Sequence, residues 1–260
     1  MKKLFCVLCL ALVMTGCSQS NKPESVSPNT ASRETKPATG TSPATNADSP
    51  GPVPSAGERI DRPVEVSFEP SGFPPDWKWL DPDRADNPTK YDLKSGGLRI
   101  ELPTGKDLFG ENRTAPRLLK TIAGDFEIET KVRFDPRESY QGAGLLVFRN
   151  DSNYLRLERG FGGLGGGDNG IRLDIREDEA YEPLATPEKF PTDAPTVELR
   201  LRRIGREFTA FWRPPGGEWK EVARYAPNYP ETVQVGLIAC NTAGPLPVEF
   251  GYIKLAPPVR

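Results

Sequence analysis

Apolar and polar residues alternate with a period of two along most of the chain, in short runs separated by clusters of Gly, Pro, Asn and Asp. This alternation is typical of β-strands that bury one face. In the run 125–134, Phe126, Ile128 and Val132 fall on one face, and charged residues fall on the other. The runs of this kind are 64–70, 97–102, 117–122, 125–134, 142–148, 153–159, 171–177, 197–203, 207–212, 219–225, 233–239 and 248–255.

The same pattern leaves no segment with a convincing run of apolar residues at helical spacing. Many short strands joined by proline-rich connections are typical of a sandwich or jelly roll. The sequence therefore predicts an all-β fold, a jelly-roll β-sandwich of two antiparallel sheets, over residues 59–260.

The N-terminal segment, residues 1–17, has two lysines followed by an apolar run that is too short to span a bilayer. Its last residues, Met14-Thr15-Gly16-Cys17, resemble the lipobox of bacterial lipoproteins. The resemblance implies that the Cys17 thiol carries diacylglycerol and that acyl chains anchor the mature protein in the bacterial cell envelope, at the outer membrane if the cell has two. A plain secretory signal with an incidental cysteine is the alternative.

The next segment, residues 18–58, consists mainly of Ser, Thr, Pro, Ala and Asn and contains no aromatic residue. It cannot bury enough apolar surface to offset the entropy of ordering. We predict a disordered linker between the anchor and the β-domain.

Composition narrows the chemistry of the β-domain. Without residues 1–17, which contain two lysines, the chain has 32 basic and 36 acidic residues. No block of like charge is present that would predict nucleic-acid binding. The chain contains no histidine, which excludes His-dependent triads and imidazole metal ligands. Cys240 is the only cysteine after Cys17, so we expect a buried thiol and no intrachain disulfide. No cofactor is predicted.

Roughly residues 63–255 resemble the concanavalin A-like lectin/glucanase superfamily. The core of the resemblance is 124–160, with the matching marks Gly124-Asp125-Phe126, Tyr140-Gln141, Ala143-Gly144-Leu145 and Asn153-Tyr154. The resemblance is strongest to domains labelled "regulation of enolase"-like and to the C-terminal sandwich of family-43 glycoside hydrolases. It implies the fold and suggests a glycan as partner, but one sandwich hosts many activities. Some relatives bind calcium in a loop, and the sequence leaves this open here.

The glycine-rich stretch 159–173 contains Gly160-x-Gly162-x-x-Gly165, the spacing of a dinucleotide-binding loop. That motif must open a helix, whereas here one predicted strand leads directly to the next. We therefore interpret the stretch as a hairpin turn.

Two carboxylates of the run 125–134, Glu127 and Glu129, form an alternative catalytic site. On a strand they share one face about 7 Å apart, a separation that glycosidases use. The same face continues into Lys131 and Arg133, and we expect no aromatic residue on it, which favours a solvated strand face.

Polar residues of the two strands that flank the glycine-rich stretch form the candidate binding site. A hairpin would place their alternating side chains next to each other on an exposed face, where arginine, carboxylate and tyrosine side chains can bind sugar hydroxyls or acidic sugars. The candidate ligand-binding residues on these two strands are Tyr154, Arg156, Glu158, Arg172 and Asp174, and the preceding predicted strand adds Gln141 and Arg149. A cross-strand ladder of ion pairs, with no ligand, is the alternative interpretation.

The four tryptophans are possible stacking platforms for sugars, but packing is the simpler expectation for each. Trp212 alternates with Phe208 and is expected to face the core, whereas Trp77 and Trp79 are expected to cover a sandwich edge. Trp219 follows a Pro-Pro-Gly-Gly turn.

Three functions remain open from the sequence. The first is non-catalytic glycan binding, the second is glycoside hydrolysis, and the third is an interaction module with an envelope protein as partner.

Overall fold

The computed structural model describes residues 57–66, 68–94, 96–162 and 167–259. The predicted signal segment, Cys17 and nearly all of the predicted linker lie outside these residues. The described part consists of strands, turns and loops without helices, which confirms the all-β prediction. None of its residues forms a helix long and apolar enough to cross a membrane.

The strands form two eight-stranded sheets, which we call sheets A and B. Sheet A contains, in spatial order, β1 (Glu58–Arg59), β6 (Arg117–Ala123), β15 (Thr232–Cys240), β8 (Gly142–Asn150), β9 (Asn153–Phe161), β10 (Asn169–Glu177) and β11 (Ala180–Ala185), and β3 (Lys78–Leu80) also pairs with β6. All its neighbours are antiparallel except β1 and β6.

Sheet B contains the remaining strands, and all its pairs are antiparallel. Its spatial order is β14 (Lys220–Tyr225), β13 (Glu207–Arg213), β12 (Thr196–Ile204), β7 (Phe126–Arg133), β16 (Leu246–Ala256), β5 (Gly97–Leu102) and β4 (Lys90–Lys94), and β2 (Val64–Val66) also pairs with β16.

The main core lies between the two sheets. Along β12 the residues Val197, Leu199 and Leu201 are fully buried, and the residues between them are only partly buried. Full burial of one such aliphatic side chain stabilises the fold by roughly 1.5–3 kcal/mol. The period-two alternation thus selects the face of each strand that enters this core.

All twelve predicted strands are present, and four others were missed. The missed strands β1, β3, β4 and β11 are short or mostly polar, and β11 contains Pro183, which lacks the amide hydrogen that an interior strand needs. The glycine-rich stretch joins β9 to β10, whose pairing begins at Phe161 and Asn169. The hairpin interpretation is therefore confirmed, although residues 163–166 lie outside the described part.

Sheet A also buries much of its outer face, unlike a sandwich sheet that faces solvent. Residues 103–116, between β5 and β6, lie over this face, where Leu108 and Ala115 pack with Tyr154 and Cys240 in a second apolar cluster. Burial is nearly continuous along β8, β9 and β10, and the alternation of exposed residues disappears there. The Cys240 thiol is buried, as expected, and burial raises its pKa.

Candidate functional site

The outer face of β9 and β10 brings together most of the predicted binding residues. Arg172 lies opposite Glu158, Asp174 opposite Arg156, and Arg176 opposite Tyr154. The predicted side-by-side placement is therefore confirmed. The expectation of an exposed face is wrong, because residues 103–116 and neighbouring loops cover it, and Arg156 and Arg172 are each only 4% exposed.

Two guanidinium groups and two carboxylates form a buried ion network on this face. Arg172 Nε donates to Glu158 Oε2 at 2.8 Å, and Arg156 Nη2 donates to Asp174 Oδ2 at 3.2 Å. Arg156 Nε lies 3.2 Å from Glu158 Oε2 and joins the two pairs. Burial alone would lower the pKa of Arg156, but the charges of Glu158 and its neighbours outweigh burial and raise it well above the usual value. Both guanidinium groups therefore stay protonated.

Tyr154 is fully buried, and its side chain holds the covering loop instead of facing solvent. Its hydroxyl donates a hydrogen bond to the carbonyl oxygen of Leu108, and burial raises its pKa. The ring cannot contact a ligand without a movement of the covering loop. The expected exposure of Tyr154 is therefore wrong, and its hydroxyl attaches residues 103–116 to the sheet.

Gln141 is also buried, and it organises two loops. Its side-chain oxygen accepts hydrogen bonds from the amides of Arg137 and Glu138, at 2.7 and 3.0 Å. Its side-chain nitrogen donates to Asn241 Oδ1 and to the carbonyl oxygen of Ala243. Gln141 thus fixes the loop before β8 against the loop after β15.

Arg149 is not brought to this cluster. It is exposed near the end of β8, where a register irregularity between Phe148 and Asn150 interrupts the alternation of the strand. Arg149, a candidate ligand-binding residue from the sequence, therefore does not join the buried group of Arg156, Glu158, Arg172 and Asp174.

A cavity of about 190 Å³ lies above the ion network. Its lining residues are Asp107, Phe109, Tyr140, Arg156, Arg172, Tyr181 and Thr242. We call this cavity the outer-face pocket. Phe109 and Tyr140 remain 44% and 45% exposed, and Phe109 meets Tyr181 edge to face, with ring centroids 5.2 Å apart. The pocket therefore combines aromatic walls with a charged floor.

The backbone of Tyr140 has an unusual conformation at the edge of this pocket, with φ of +70°. Left-handed φ is uncommon in non-glycine residues and costs roughly 1–2 kcal/mol. Hydrogen bonds from the Tyr140 amide to the Phe161 carbonyl, at 3.1 Å, and from the Gln141 amide to the Glu138 carbonyl hold this turn. The surrounding contacts hold an exposed aromatic side chain in a strained position, a feature that clusters at ligand sites.

Five pocket residues were not predicted as ligands: Asp107, Phe109, Tyr140, Tyr181 and Thr242. They lie on loops or on the missed strand β11, where periodicity carries little information. One feature of the sequence could have indicated the loop that carries Phe109: Leu108-Phe109 is an apolar pair inside a mostly polar connection. Such a pair indicates a loop that packs on a surface.

Burial favours the neutral phenol at Tyr181 as well. Desolvation and then the charge of Asp174, which accepts a hydrogen bond from the Tyr181 hydroxyl, raise the pKa of Tyr181 well above its usual value. The pocket therefore presents a protonated phenol, guanidinium donors and the Asp107 carboxylate together. This mixture of donors and acceptors matches the hydroxyl groups of a polyol.

The alternative catalytic pair, Glu127 and Glu129, lies on the outer face of sheet B. Arg202 Nε donates to Glu127 Oε1 at 2.9 Å, and Arg200 Nη2 donates to Glu129 Oε2 at 2.8 Å. Glu127 also accepts a hydrogen bond from the Val259 amide. A glycosidase needs one protonated carboxyl group, whereas here both groups accept hydrogen bonds from guanidinium donors. The arrangement is an ion-pair network rather than a solvated face.

The expectation that this face has no aromatic residue is wrong, because Trp219 and Tyr252 from other parts of the chain lie on it. The guanidinium carbons of Arg200 and Arg213 lie 4.0 and 4.2 Å from the ring centroid of Trp219, and Tyr252 donates to Glu129. These cation–π contacts and ion pairs tie β12, β13 and β16 to β7.

The other tryptophans pack as expected. Trp212 and Trp77 are each 6% exposed and belong to the main core. Trp79 is partly buried and stacks on Phe73, with centroids 5.8 Å apart, beside Tyr91.

Larger cavities lie elsewhere on the β-domain. One of about 700 Å³ lies beside Arg203 and Tyr229, and others of about 480 and 460 Å³ lie beside Arg99 and Phe73. Their volumes exceed that of the outer-face pocket, as does that of a cavity of about 340 Å³ beside Glu127, Glu129 and Arg200. The ion pairs at these larger cavities are partly exposed, whereas those beneath the outer-face pocket are buried. Within the described ranges, no group of three or more His, Cys, Asp or Glu side chains is arranged to hold a metal ion.

Comparison with known proteins identifies the family. Residues 65–242 match the model of the beta xylosidase C-terminal concanavalin A-like domain, so the chain belongs to this family. No curated protein sequence matches the chain significantly.

Solved structures share the fold at low sequence identity. A functionally unknown protein of Saccharomyces cerevisiae aligns with a TM-score of 0.59 and 17% identity, over 71% of this chain and 98% of that one. The GH43 protein BlXynB of Bacillus licheniformis aligns with a TM-score of 0.60 and 18% identity, over 75% of this chain and 39% of that one. The exoplasmic/lumenal domain of VIP36 aligns with a TM-score of 0.51 and 11% identity, over 75% and 89%.

Proposed function

We propose that the β-domain is a non-catalytic carbohydrate-binding module whose site is the outer-face pocket. The observation that carries this proposal is the pocket itself, where three aromatic side chains stand around a floor of buried, paired charges. Sugar rings stack their C–H faces on aromatic rings and exchange hydrogen bonds with guanidinium and carboxylate groups. Of the predicted residues, Arg156 and Arg172 contact the ligand in this proposal, whereas Glu158, Asp174 and Gln141 hold the contacting groups in place.

The comparisons support a glycan ligand without identifying it. The VIP36 domain, which shares the fold, is described as bound to calcium and Man3GlcNAc, and the matching region of the xylosidases is their C-terminal domain. This chain aligns with 39% of BlXynB, so the activity of that enzyme does not transfer to it.

The proposal is tested by binding of the full chain to a broad glycan array and to insoluble polysaccharides. We expect Phe109→Ala and Tyr140→Ala each to reduce the signal about fivefold, since a stacking contact of this kind is worth ~1 kcal/mol. Tyr91→Ala is the matched control, because Tyr91 is also 45% exposed but lies on β4 of sheet B. An array without any specific signal would refute the proposal, as would equal losses in Tyr91→Ala and Tyr140→Ala.

The non-catalytic assignment has its own test at Glu127 and Glu129. We expect no release of reducing sugar from any glycan that the full chain binds, and unchanged binding in Glu127→Gln. Sugar release that Glu127→Gln abolishes, in a folded protein, would establish hydrolysis instead.

We also propose that the protein is anchored to the cell envelope by acylation of Cys17, with residues 18–58 as a linker. The lipobox-like sequence supports this proposal. Full-length protein expressed in a bacterium should incorporate labelled palmitate and sediment with membranes, and Cys17→Ala should abolish both. Unchanged labelling in Cys17→Ala would refute acylation at this residue.

A further inference from the structure

We infer that the outer-face pocket selects one uncharged sugar ring, at a chain end, and rejects uronic acids. This inference rests on the proposed function and adds the chemical class of the ligand. It follows from the charge balance of the floor and from the size of the cavity.

The charge balance disfavours an anion. Arg156 and Arg172 face three carboxylates: Glu158 at 2.7 Å from Arg172 Nη2, Asp174 at 3.2 Å from Arg156 Nη2, and Asp107 at 3.5 Å from Arg156 Nη1. The next guanidinium on this face, Arg176, is paired with Glu179 and lies against the Phe109 ring. The positive charges of Arg156 and Arg172 are therefore already balanced by neighbouring carboxylates.

A uronate would meet two penalties in this pocket. Its carboxylate would lose hydration without an uncompensated cation to replace the water. It would also stand close to the like charge of Asp107, which disfavours binding further. A neutral ring avoids both penalties, because its hydroxyl groups accept from the guanidinium groups and donate to Asp107.

The size of the cavity limits the ligand to one ring. Its volume of about 190 Å³ is below the range of about 300–1,000 Å³ that is typical of sites for larger ligands. The cavity is bounded by Phe109 and Thr242 from two loops, by Tyr140 from a third, and by Tyr181 on β11. Such a cavity accepts the end of a glycan chain, whereas an internal ring needs a groove that is open on both sides.

Saturation-transfer NMR on the full chain at low ionic strength tests the charge selectivity with isosteric pairs. The probes are D-glucuronic acid against D-glucuronamide and D-galacturonic acid against D-galacturonamide, with D-glucose, D-galactose, D-mannose and D-xylose as neutral sugars. We expect binding by neutral probes and at least about tenfold weaker binding of each acid than of its amide. If neither neutral nor acidic probes bind, the proposed function fails. If the acids bind as well as the amides, only this inference fails.

Asp107→Asn keeps the shape of the side chain and removes one carboxylate charge. We expect it to raise the acid-to-amide affinity ratio within the variant, whereas Asp92→Asn, the same change at an exposed site on β4, leaves the ratio as it is. A ratio that does not change in Asp107→Asn would overturn the electrostatic selectivity.

The single-ring prediction is tested with mono-, di- and tetrasaccharides of a neutral sugar that binds. Recognition of a chain end gives the same molar affinity for each length. Affinity that rises in proportion to the number of rings would overturn it.

Discussion

Tyr140 has a φ of +70°, a backbone conformation that glycine adopts without strain and other residues adopt at a cost. Substitution by Gly should therefore relieve strain at this position, whereas Ala should keep it. We predict that Tyr140→Gly unfolds with a free energy about 0.5–1 kcal/mol higher than that of Tyr140→Ala, measured by urea titration. Both variants should lose glycan binding, because both lack the ring.

The control for this prediction is Tyr91, which lies in a regular strand and is equally exposed. There the order should reverse, because glycine in a strand carries an entropic penalty without any compensating relief. If Gly is less stable than Ala at both positions, the strain at Tyr140 plays no energetic role.

Tyr154 offers a second test, of how the covering loop is held. Tyr154→Phe removes only the hydroxyl that donates to the Leu108 carbonyl oxygen in a buried environment. We predict a loss of about 1 kcal/mol in the free energy of unfolding and faster hydrogen exchange at the amide of Ala115, which donates to the Asp107 carbonyl within the same loop. Unchanged exchange at Ala115 would show that the loop is held by other contacts.

The candidate site could be predicted from the sequence only in part, and Tyr154 shows why. Alternation on β9 placed Tyr154, Arg156 and Glu158 on one face correctly, since the period of a strand is fixed by its backbone. Whether that face meets solvent depends on a loop more than forty residues away in the chain, beside Leu108. Charged residues usually indicate exposure, and here mutual pairing makes burial tolerable instead.

At the scale of strands, two glycines allow neighbouring backbones to approach closely. A Cβ at Gly144 on β8 would lie 2.1 Å from the Leu157 carbonyl oxygen, and one at Gly236 on β15 would lie 1.8 Å from the Leu118 carbonyl oxygen. Contacts of this length require the backbone to move. The two glycines therefore permit the pairing of β8 with β9 and of β15 with β6.

We predict that Gly144→Ala lowers the free energy of unfolding by at least about 2 kcal/mol, because an interior strand must shift to accommodate the methyl group. Gly251→Ala, in β16, is the matched control. Its Cβ would meet only the flexible Lys131 side chain at 3.6–3.7 Å, so its effect should stay within about 0.5 kcal/mol. Urea unfolding of both variants measures the difference, and similar losses in the two would contradict the prediction.

Strand prediction succeeded where one face of a strand enters the core and failed elsewhere. β7 and β12 show clear alternation because each has solvent or a polar network on the other side. β11 carries Pro183 and is exposed at half of its positions, so its sequence carries no periodic apolar signal. It is placed by pairing with β10, a tertiary effect, and it contributes Tyr181 to the pocket.

At the scale of the whole molecule, five of the seven tyrosines have raised pKa values in the folded state. Burial raises the pKa values of Tyr154, Tyr181, Tyr229 and Tyr252, and a hydrogen bond to Glu177 raises that of Tyr225 to about 12. In an unfolded chain these phenols ionise near pH 10. Folding thus suppresses ionisation at many points of the sandwich at once.

The sign of the pH dependence follows from this difference. Below pH 10 the phenols are protonated in both states, so their contribution to stability is fully present. Between pH 10 and 12 the unfolded chain releases protons that the folded chain retains, which favours unfolding. We predict that the urea midpoint falls as pH rises from 10 to 12, and that most tyrosinate absorbance at 295 nm appears together with the loss of β-sheet circular dichroism.

Tyr225→Phe should make the fall shallower, since it removes one phenol whose pKa differs between the two states. A urea midpoint that is constant up to pH 12 would contradict the prediction, as would full tyrosine ionisation in a folded protein. Either result would mean that these phenols are accessible to solvent. The packing around the pocket would then be looser than the contacts of Tyr154 and Tyr181 indicate.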